Sequence, residues 1–346
     1  MFSKIRPLIF KLNPELAHSL AIKALKFNYN PINNIKKDSS IETSLFGKKI
    51  TNPIGIAAGF DKNAEVYNPL FNLGFGFVEV GTITPKAQYG NPKPRVFRLE
   101  EDQALVNRLG FNNSGAEEIS VRISRNLPNG ILGINIGPNK NTDNRIEDYL
   151  KCFRKFCNLG DYLTINISSP NTENLRDFHE QDELEKLLDA IQSEKKKLNT
   201  KIPIAVKISP DIENNQIEII AEILIKYSIN IVIISNSTDR NREDLKNINR
   251  LEKGGLSGKP IEKISNELIN QFYKIIGKNI KIIGVGGVDT GMGAFEKIIN
   301  GASLVQLYTG MVYKGPNVAA KIGSELIDIL KSKGIKNVTE AIGTKN

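Results

Sequence analysis

From Pro53 onward the sequence alternates short apolar runs with longer stretches that are polar or carry apolar residues at helical spacing. Eight runs hold the pattern: Ile54-Ala58, Phe77-Val80, Ile131-Ile134, Tyr162-Ile167, Ile204-Lys207, Ile231-Ile234, Lys281-Val285 and Leu304-Gln306. Most are rich in β-branched residues and lack strict alternation, as strands buried on both faces should. Eight such strands joined by helices predict an α/β fold, a (β/α)8 TIM barrel over residues 41–346. The gap between the second and third runs is wider than a connecting helix needs. It holds Arg95-Val96-Phe97-Arg98-Leu99 and Ala104-Leu105-Val106-Asn107, which predict a hairpin, then Arg108-Leu109-Gly110-Phe111-Asn112-Asn113. Long insertions after a barrel strand usually serve the active-site face.

Ahead of the barrel the pattern changes. Ile5, Leu8, Ile9 and Leu12 mark one amphipathic helix; Asn13-Pro14-Glu15 reads as the cap and first turn of a second, bearing Leu16, Leu20, Ala24 and Phe27. Pro31 to Ser40 reads as a polar connector, so residues 1–40 form a helical extension. Ile41-Leu45 and Lys48-Thr51, turning at Phe46-Gly47, then predict a hairpin. Lys4 and Arg6 before Pro7-Leu8-Ile9-Phe10 imitate a signal peptide, but the apolar run is short and stops at Lys11, so neither a signal peptide nor a membrane span is expected. Helices of this length are marginal alone. They either dock on the barrel or rest on a membrane interface.

Composition alone favours docking on the barrel. The net charge is +9, and residues 1–40 hold seven basic side chains (Lys4, Arg6, Lys11, Lys23, Lys26, Lys36, Lys37) against Glu15 and Asp38, which is +5 of the excess. Elsewhere lysines stand among acids, as on solvated helix faces, so no nucleic-acid partner is expected. Cys152 and Cys157 lie in one basic, apolar, helical stretch, and His18 and His179 lack ligand spacing. A reducing, cytosolic setting follows, with no disulfide framework and no metal.

Barrels of this kind keep their chemistry at the C-terminal ends of the strands. Those ends read Ala58-Gly59-Phe60-Asp61-Lys62, Gly81-Thr82, Asn135, Asn166 with Ser168-Ser169, Lys207, Ser235-Asn236-Ser237, Gly286-Gly287 and Tyr308-Thr309-Gly310. Every one supplies a hydrogen-bonding side chain, a glycine or both. The glycine turns after the last two strands suit a phosphate held by backbone N–H groups. Gly284-Val285-Gly286-Gly287 is a poor dinucleotide fingerprint, because Asp289 stands where the third glycine belongs. No acid is placed by motif to orient His179 against Ser169, so hydrolytic chemistry is not expected, and His179 falls in the loop Glu173 to Gln181. Amide-rich rims suit a planar polar heterocycle. If that ring were a flavin, Lys207 would stabilise the charge it gains on reduction.

Several long stretches in order resemble the dihydroorotate dehydrogenases of the quinone-dependent, membrane-associated class. They are Ala57-Ala58-Gly59-Phe60-Asp61-Lys62, Asn107-Arg108-Leu109-Gly110-Phe111-Asn112-Asn113, Asn166-Ile167-Ser168-Ser169-Pro170-Asn171-Thr172, Gly254-Gly255-Leu256-Ser257-Gly258 and Leu304-Val305-Gln306-Leu307-Tyr308. The likeness covers nearly the whole chain, helix pair included. It implies one flavin mononucleotide (FMN) per chain and the oxidation of dihydroorotate to orotate in pyrimidine synthesis. A membrane quinone would be the electron acceptor, and a monomer would sit peripherally on the cytoplasmic face of the cell membrane.

Residue by residue, the resemblance makes Ser169 the base that removes the C5 proton of dihydroorotate while the C6 hydride goes to flavin N5. A soluble class resembles this one but carries cysteine at that position and uses fumarate or NAD. Lys62 would neutralise the substrate carboxylate. Asn107, Asn166, Asn171 and Asn236 would hold the ring, with Arg108, Leu109, Gly110, Phe111 and Ser237 beside them. Ala58, Gly59, Phe60, Asp61, Lys62, Thr82, Asn135, Asn166, Lys207 and Ser235 would surround the flavin, with Gly258, Gly287, Tyr308 and Thr309 toward its phosphate. His18 and Arg98 would flank the quinone route, which favours the membrane-interface reading of the helix pair. Phe60 replaces a common aliphatic residue, and Ser235-Asn236-Ser237-Thr238 a threonine-rich version. A flavin-dependent tRNA dihydrouridine synthase would need a cysteine acid near the site, and neither cysteine falls at a strand end.

Overall fold

The computed structural model describes residues 2–27 and 35–346; residues 31–34 of the connector lie outside that description. Eight parallel strands run β1 Ile54–Ile56, β2 Phe77–Ile83, β3 Ile131–Ile136, β4 Tyr162–Asn166, β5 Ile204–Ile208, β6 Ile231–Ile234, β7 Lys281–Val285 and β8 Leu304–Leu307. They pair in numerical order and β8 closes on β1. Each predicted run lands on one strand, with ends moved by three residues at most. Outward side chains such as Val78, Leu132 and Leu163 pack against the helices between strands.

Two glycines let large side chains cross the barrel interior. A Cβ on Gly133 would lie 2.1 Å from the Tyr162 ring, and one on Gly55 would lie 2.5 Å from the Phe77 ring. Tyr162 and Phe77 fill the lower barrel with Ile131, Ile231 and Leu304. The predicted hairpin, Thr43–Leu45 against Lys48–Ile50, turns at Phe46 and Gly47, both with positive φ. It puts the fully buried Leu45 and Ile50 into that same cluster and stoppers the N-terminal end.

Over the opposite end sits a three-stranded antiparallel cap. Val96–Leu99 and Ala104–Asn107 form the expected hairpin, and Gly255–Gly258 pairs with the latter as a third strand that no periodicity predicts. Gly255 must be glycine-small, since a Cβ there would meet Ser237 Oγ at 2.0 Å.

Helices α1, Phe2–Phe10, and α2, Pro14–Lys26, lie beside the cap. The Asn13 side chain caps α2, accepting from the N–H groups of Glu15 and Leu16. The packed face of α2 is Ile22 and Leu25. The residues that periodicity selected point outward: Leu16 is 50%, Leu20 47% and Phe27 87% exposed, joined on α1 by Leu8 at 65%. Docking uses one side of α2 and leaves the named stripe uncovered.

Candidate active site

The polar ends of the strands converge on one cavity. Ser169, Lys62, Asn107, Asn166, Asn171 and Asn236 all open onto it. So do Ala58, Gly59, Thr82, Lys207, Ser235 and Ser237 from the strand ends, Leu109, Gly110 and Phe111 from the insertion, and Gly258, Gly287, Tyr308 and Thr309 at the glycine-rich end.

Four expected residues stand apart from the lining. Asp61 is buried, but its carboxylate accepts the N–H groups of Glu65 and Val66, each at 2.7 Å, so it caps a turn of chain. Burial pushes its carboxyl up to about 6 against those two bonds. Arg108 turns outward to Glu252 at 2.7 Å and lies over the Phe97 ring. Phe60 sits behind the wall, edge-on to Tyr308 with ring centroids 6.3 Å apart. Asn135 lies one layer below the floor, accepting from Thr82 Oγ1 at 2.6 Å.

Sequence reading missed two kinds of contributor. Ser257, on the unforeseen cap strand, lines the cavity and shares a 2.9 Å hydrogen bond with Thr309 Oγ1. Glu79, in the middle of β2, is fully buried under the floor, and its signal was a lone carboxylate inside an apolar run.

Ser169 is buried at the head of the loop after β4, where its Oγ accepts Asn171 N–H at 3.2 Å. No titratable side chain among the described residues hydrogen-bonds to it. The loop is pinned rather than free. Arg176 donates to the carbonyls of Ser168 (3.4 Å) and Ser237 (3.2 Å) and pairs with Asp211 at 3.0 Å. His179, expected in an open loop, is buried at the end of a short 3-10 turn, Leu175–His179. Its Nε2 accepts Ser209 N–H at 3.1 Å, so Nδ1–H donates to the Arg176 carbonyl at 2.9 Å. Burial lowers its pKa to about 4, which keeps that neutral tautomer.

Two lysines reach the cavity. Lys62 Nζ donates to Gly59 O at 2.7 Å, and burial lowers its pKa to about 8. Lys207 is almost fully buried, lowered by the same desolvation, and its ammonium has no hydrogen-bond partner among the described residues. An unsatisfied cation facing a cavity is a site waiting for an acceptor. At the glycine end the chain folds back tightly: Gly287 has φ +77°, and a Cβ there would come within 2.4 Å of Glu262 Cβ. These features would suit a flavin: Lys207 would hold acceptor atoms of the ring, and the backbone of the last two strand ends would hold the phosphate.

Helix α2 meets the cavity wall through His18, whose ring stands edge-on to Phe60 with centroids 5.1 Å apart. Burial, with Lys62 nearby, drives the His18 pKa down to about 3. Arg98 donates to the carbonyls of Phe10 (3.1 Å) and Leu12 (2.8 Å), capping the end of α1. Arg95 is buried against Glu15 of α2 at 2.9 Å.

A closed parallel barrel with lysines, amides and a serine around one capped cavity at the C-terminal ends of its strands defines the TIM-barrel class of enzyme. The family model for dihydroorotate dehydrogenase matches residues 40–330, and the chain belongs to that flavin-dependent family. Named relatives are quinone-type dihydroorotate dehydrogenases. That of Bartonella tribocorum is 44% identical, covering 97% of this chain and 94% of its own. That of Erythrobacter litoralis is 43% identical over the full length of both. The crystal structure of the Eimeria tenella enzyme in complex with ferulenol superposes with a TM-score of 0.93 at 37% identity, covering 99% of this chain and 98% of that one.

Proposed function

We infer that this protein oxidises dihydroorotate to orotate, passing the electrons to a quinone in pyrimidine biosynthesis, with FMN as its flavin. The observation that carries this reading is the convergence of Ser169, Lys62 and Lys207 on one capped cavity. FMN, when bound, supplies the hydride acceptor and the link to the quinone. Lys62 pairs with the substrate carboxylate, and Asn107, Asn166, Asn171 and Asn236 orient the ring by donor and acceptor matching. Ser169 Oγ removes the C5 proton. Serine is a weak base, so its buried, pinned loop must hold it in line and pass the proton on. Lys207 offers a fixed positive charge where negative charge develops.

The exposed stripe of α1 and α2, with the basic excess of residues 1–40, suits a peripheral seat on the cytoplasmic face of the membrane. No helix among the described residues is long and apolar enough to cross one. His18 and Phe60 lie between that stripe and the cavity wall, on the side where a quinone would arrive. The chain acts as a monomer in this reading.

The test is anaerobic bleaching of the bound flavin by dihydroorotate, then recovery on adding a short-chain quinone, fumarate or NAD. Recovery with quinone is expected; recovery only with fumarate or NAD would overturn the acceptor. Ser169→Ala should keep its flavin and lose at least 100-fold in bleaching rate, the scale of a positioned base. Wild-type bleaching in that variant would remove Ser169 as the base.

A further inference from the structure

Glu79 has no part in the reaction described above, yet it is the hub of the barrel interior. Its carboxylate accepts from Asn135 Nδ2 (2.8 Å), Tyr162 OH (3.0 Å), Thr164 Oγ1 (3.2 Å) and Gln306 Nε2 (3.1 Å). The charged side chain that faces it is Lys207, on β5. Burying a carboxylate is costly unless its surroundings compensate it, and here four donors and a cation do so.

We propose that Glu79 is a positioning residue that sets both the donor–acceptor sense and the charge of the site floor. A carboxylate only accepts, so Asn135 must turn its NH₂ to Glu79 and its oxygen to Thr82. Thr82 then gives its single proton to Asn135 Oδ1 at 2.6 Å and can only accept from Asn166 Nδ2, at 2.9 Å. That leaves Asn166 Oδ1 facing Ser168, where it accepts the hydroxyl at 2.7 Å and the N–H at 3.2 Å, one residue before Ser169. Amide orientation is otherwise a free choice between two flips. One buried anion fixes it from β2 through β3 to the loop after β4.

The same anion opposes Lys207. A flavin seated above gains negative charge on reduction, so Lys207 favours the reduced form and Glu79 moderates that pull. This part rests on the FMN reading, and the measurement is made on the flavin-loaded protein. Glu79→Gln should retain FMN and shift the reduced-to-oxidised ratio at a fixed ambient potential at least tenfold toward reduced, about 30 mV for a two-electron couple. In a Lys207→Met background the same substitution should shift the ratio less than twofold, because Glu79 then has no facing cation to oppose. Tyr162→Phe strips one donor from the carboxylate and keeps the ring; it should move the ratio at least twofold the other way, and it serves if the Gln variant fails to fold. A flavin-loaded Glu79→Gln within twofold of wild type, or an unmoved Tyr162→Phe, overturns the proposal. A wild-type protein that binds no flavin removes the FMN reading itself.

Discussion

Lys62 shows what burial does to a single residue. Its ammonium is held at the cavity wall by one carbonyl, and desolvation lowers its pKa to about 8. An anionic substrate binds the protonated form, so as pH rises through about 8 the free enzyme loses that form. We expect kcat/KM for dihydroorotate to fall by up to tenfold per pH unit above that point. Lys62→Met should lower the plateau and abolish this limb of the profile. Reading the strand ends selected Lys62, Ser169 and Lys207, and all three line one cavity, because the C-terminal rim of a barrel collects whatever follows each strand. It gathered Asp61 and Arg108 with them by sequence adjacency alone. Neighbouring loop side chains diverge, and these two find partners elsewhere, Asp61 on free N–H groups and Arg108 on Glu252. Glu79 is not legible in this way, because it sits in the inward-facing middle of a strand and not at its end.

At the scale of elements, periodicity and β-branching made the eight strands legible, whereas pairing between distant segments was not. Gly255–Gly258 has little strand propensity of its own and becomes a strand only because Ala104–Asn107 offers an edge across a long stretch of chain. The face on which α2 docks was equally hidden, since Ile22 and Leu25 are no more apolar than the exposed Leu16 and Leu20. What locates α2 is the pair Glu15–Arg95, in which the arginine is almost fully buried. Removing Glu15 leaves that guanidinium with backbone carbonyls alone. Glu15→Ala should therefore lower the opening free energy of α2 by about 2 kcal/mol, read by hydrogen exchange of its amides.

For the whole molecule, the buried histidines set the response to acid. The pKa values of His18 and His179 lie at about 3 and about 4, both below the unfolded value near 6.5. Between pH 6 and 4 the unfolded chain therefore binds two protons that the folded one refuses. Asp61, raised to about 6, works the other way and takes up one proton on folding. The balance is one proton, so stability from these groups should drop by about 1.4 kcal/mol per pH unit as pH falls across that window. Urea melts at pH 6 and pH 4 measure it, and His179→Gln should cancel most of the slope.

The hairpin under the barrel gives the molecule a direction. With Leu45 and Ile50 packed into the cluster that fills one end, the interior is a well and not a pipe. Knocking out the bottom with Leu45→Ala and Ile50→Ala should cost about 2–5 kcal/mol for each buried side chain. It should also wet Glu79 from below and damp its influence on the flavin. A drain opened at the far end would thus be detected as a change in potential at the top, in protein that is still folded.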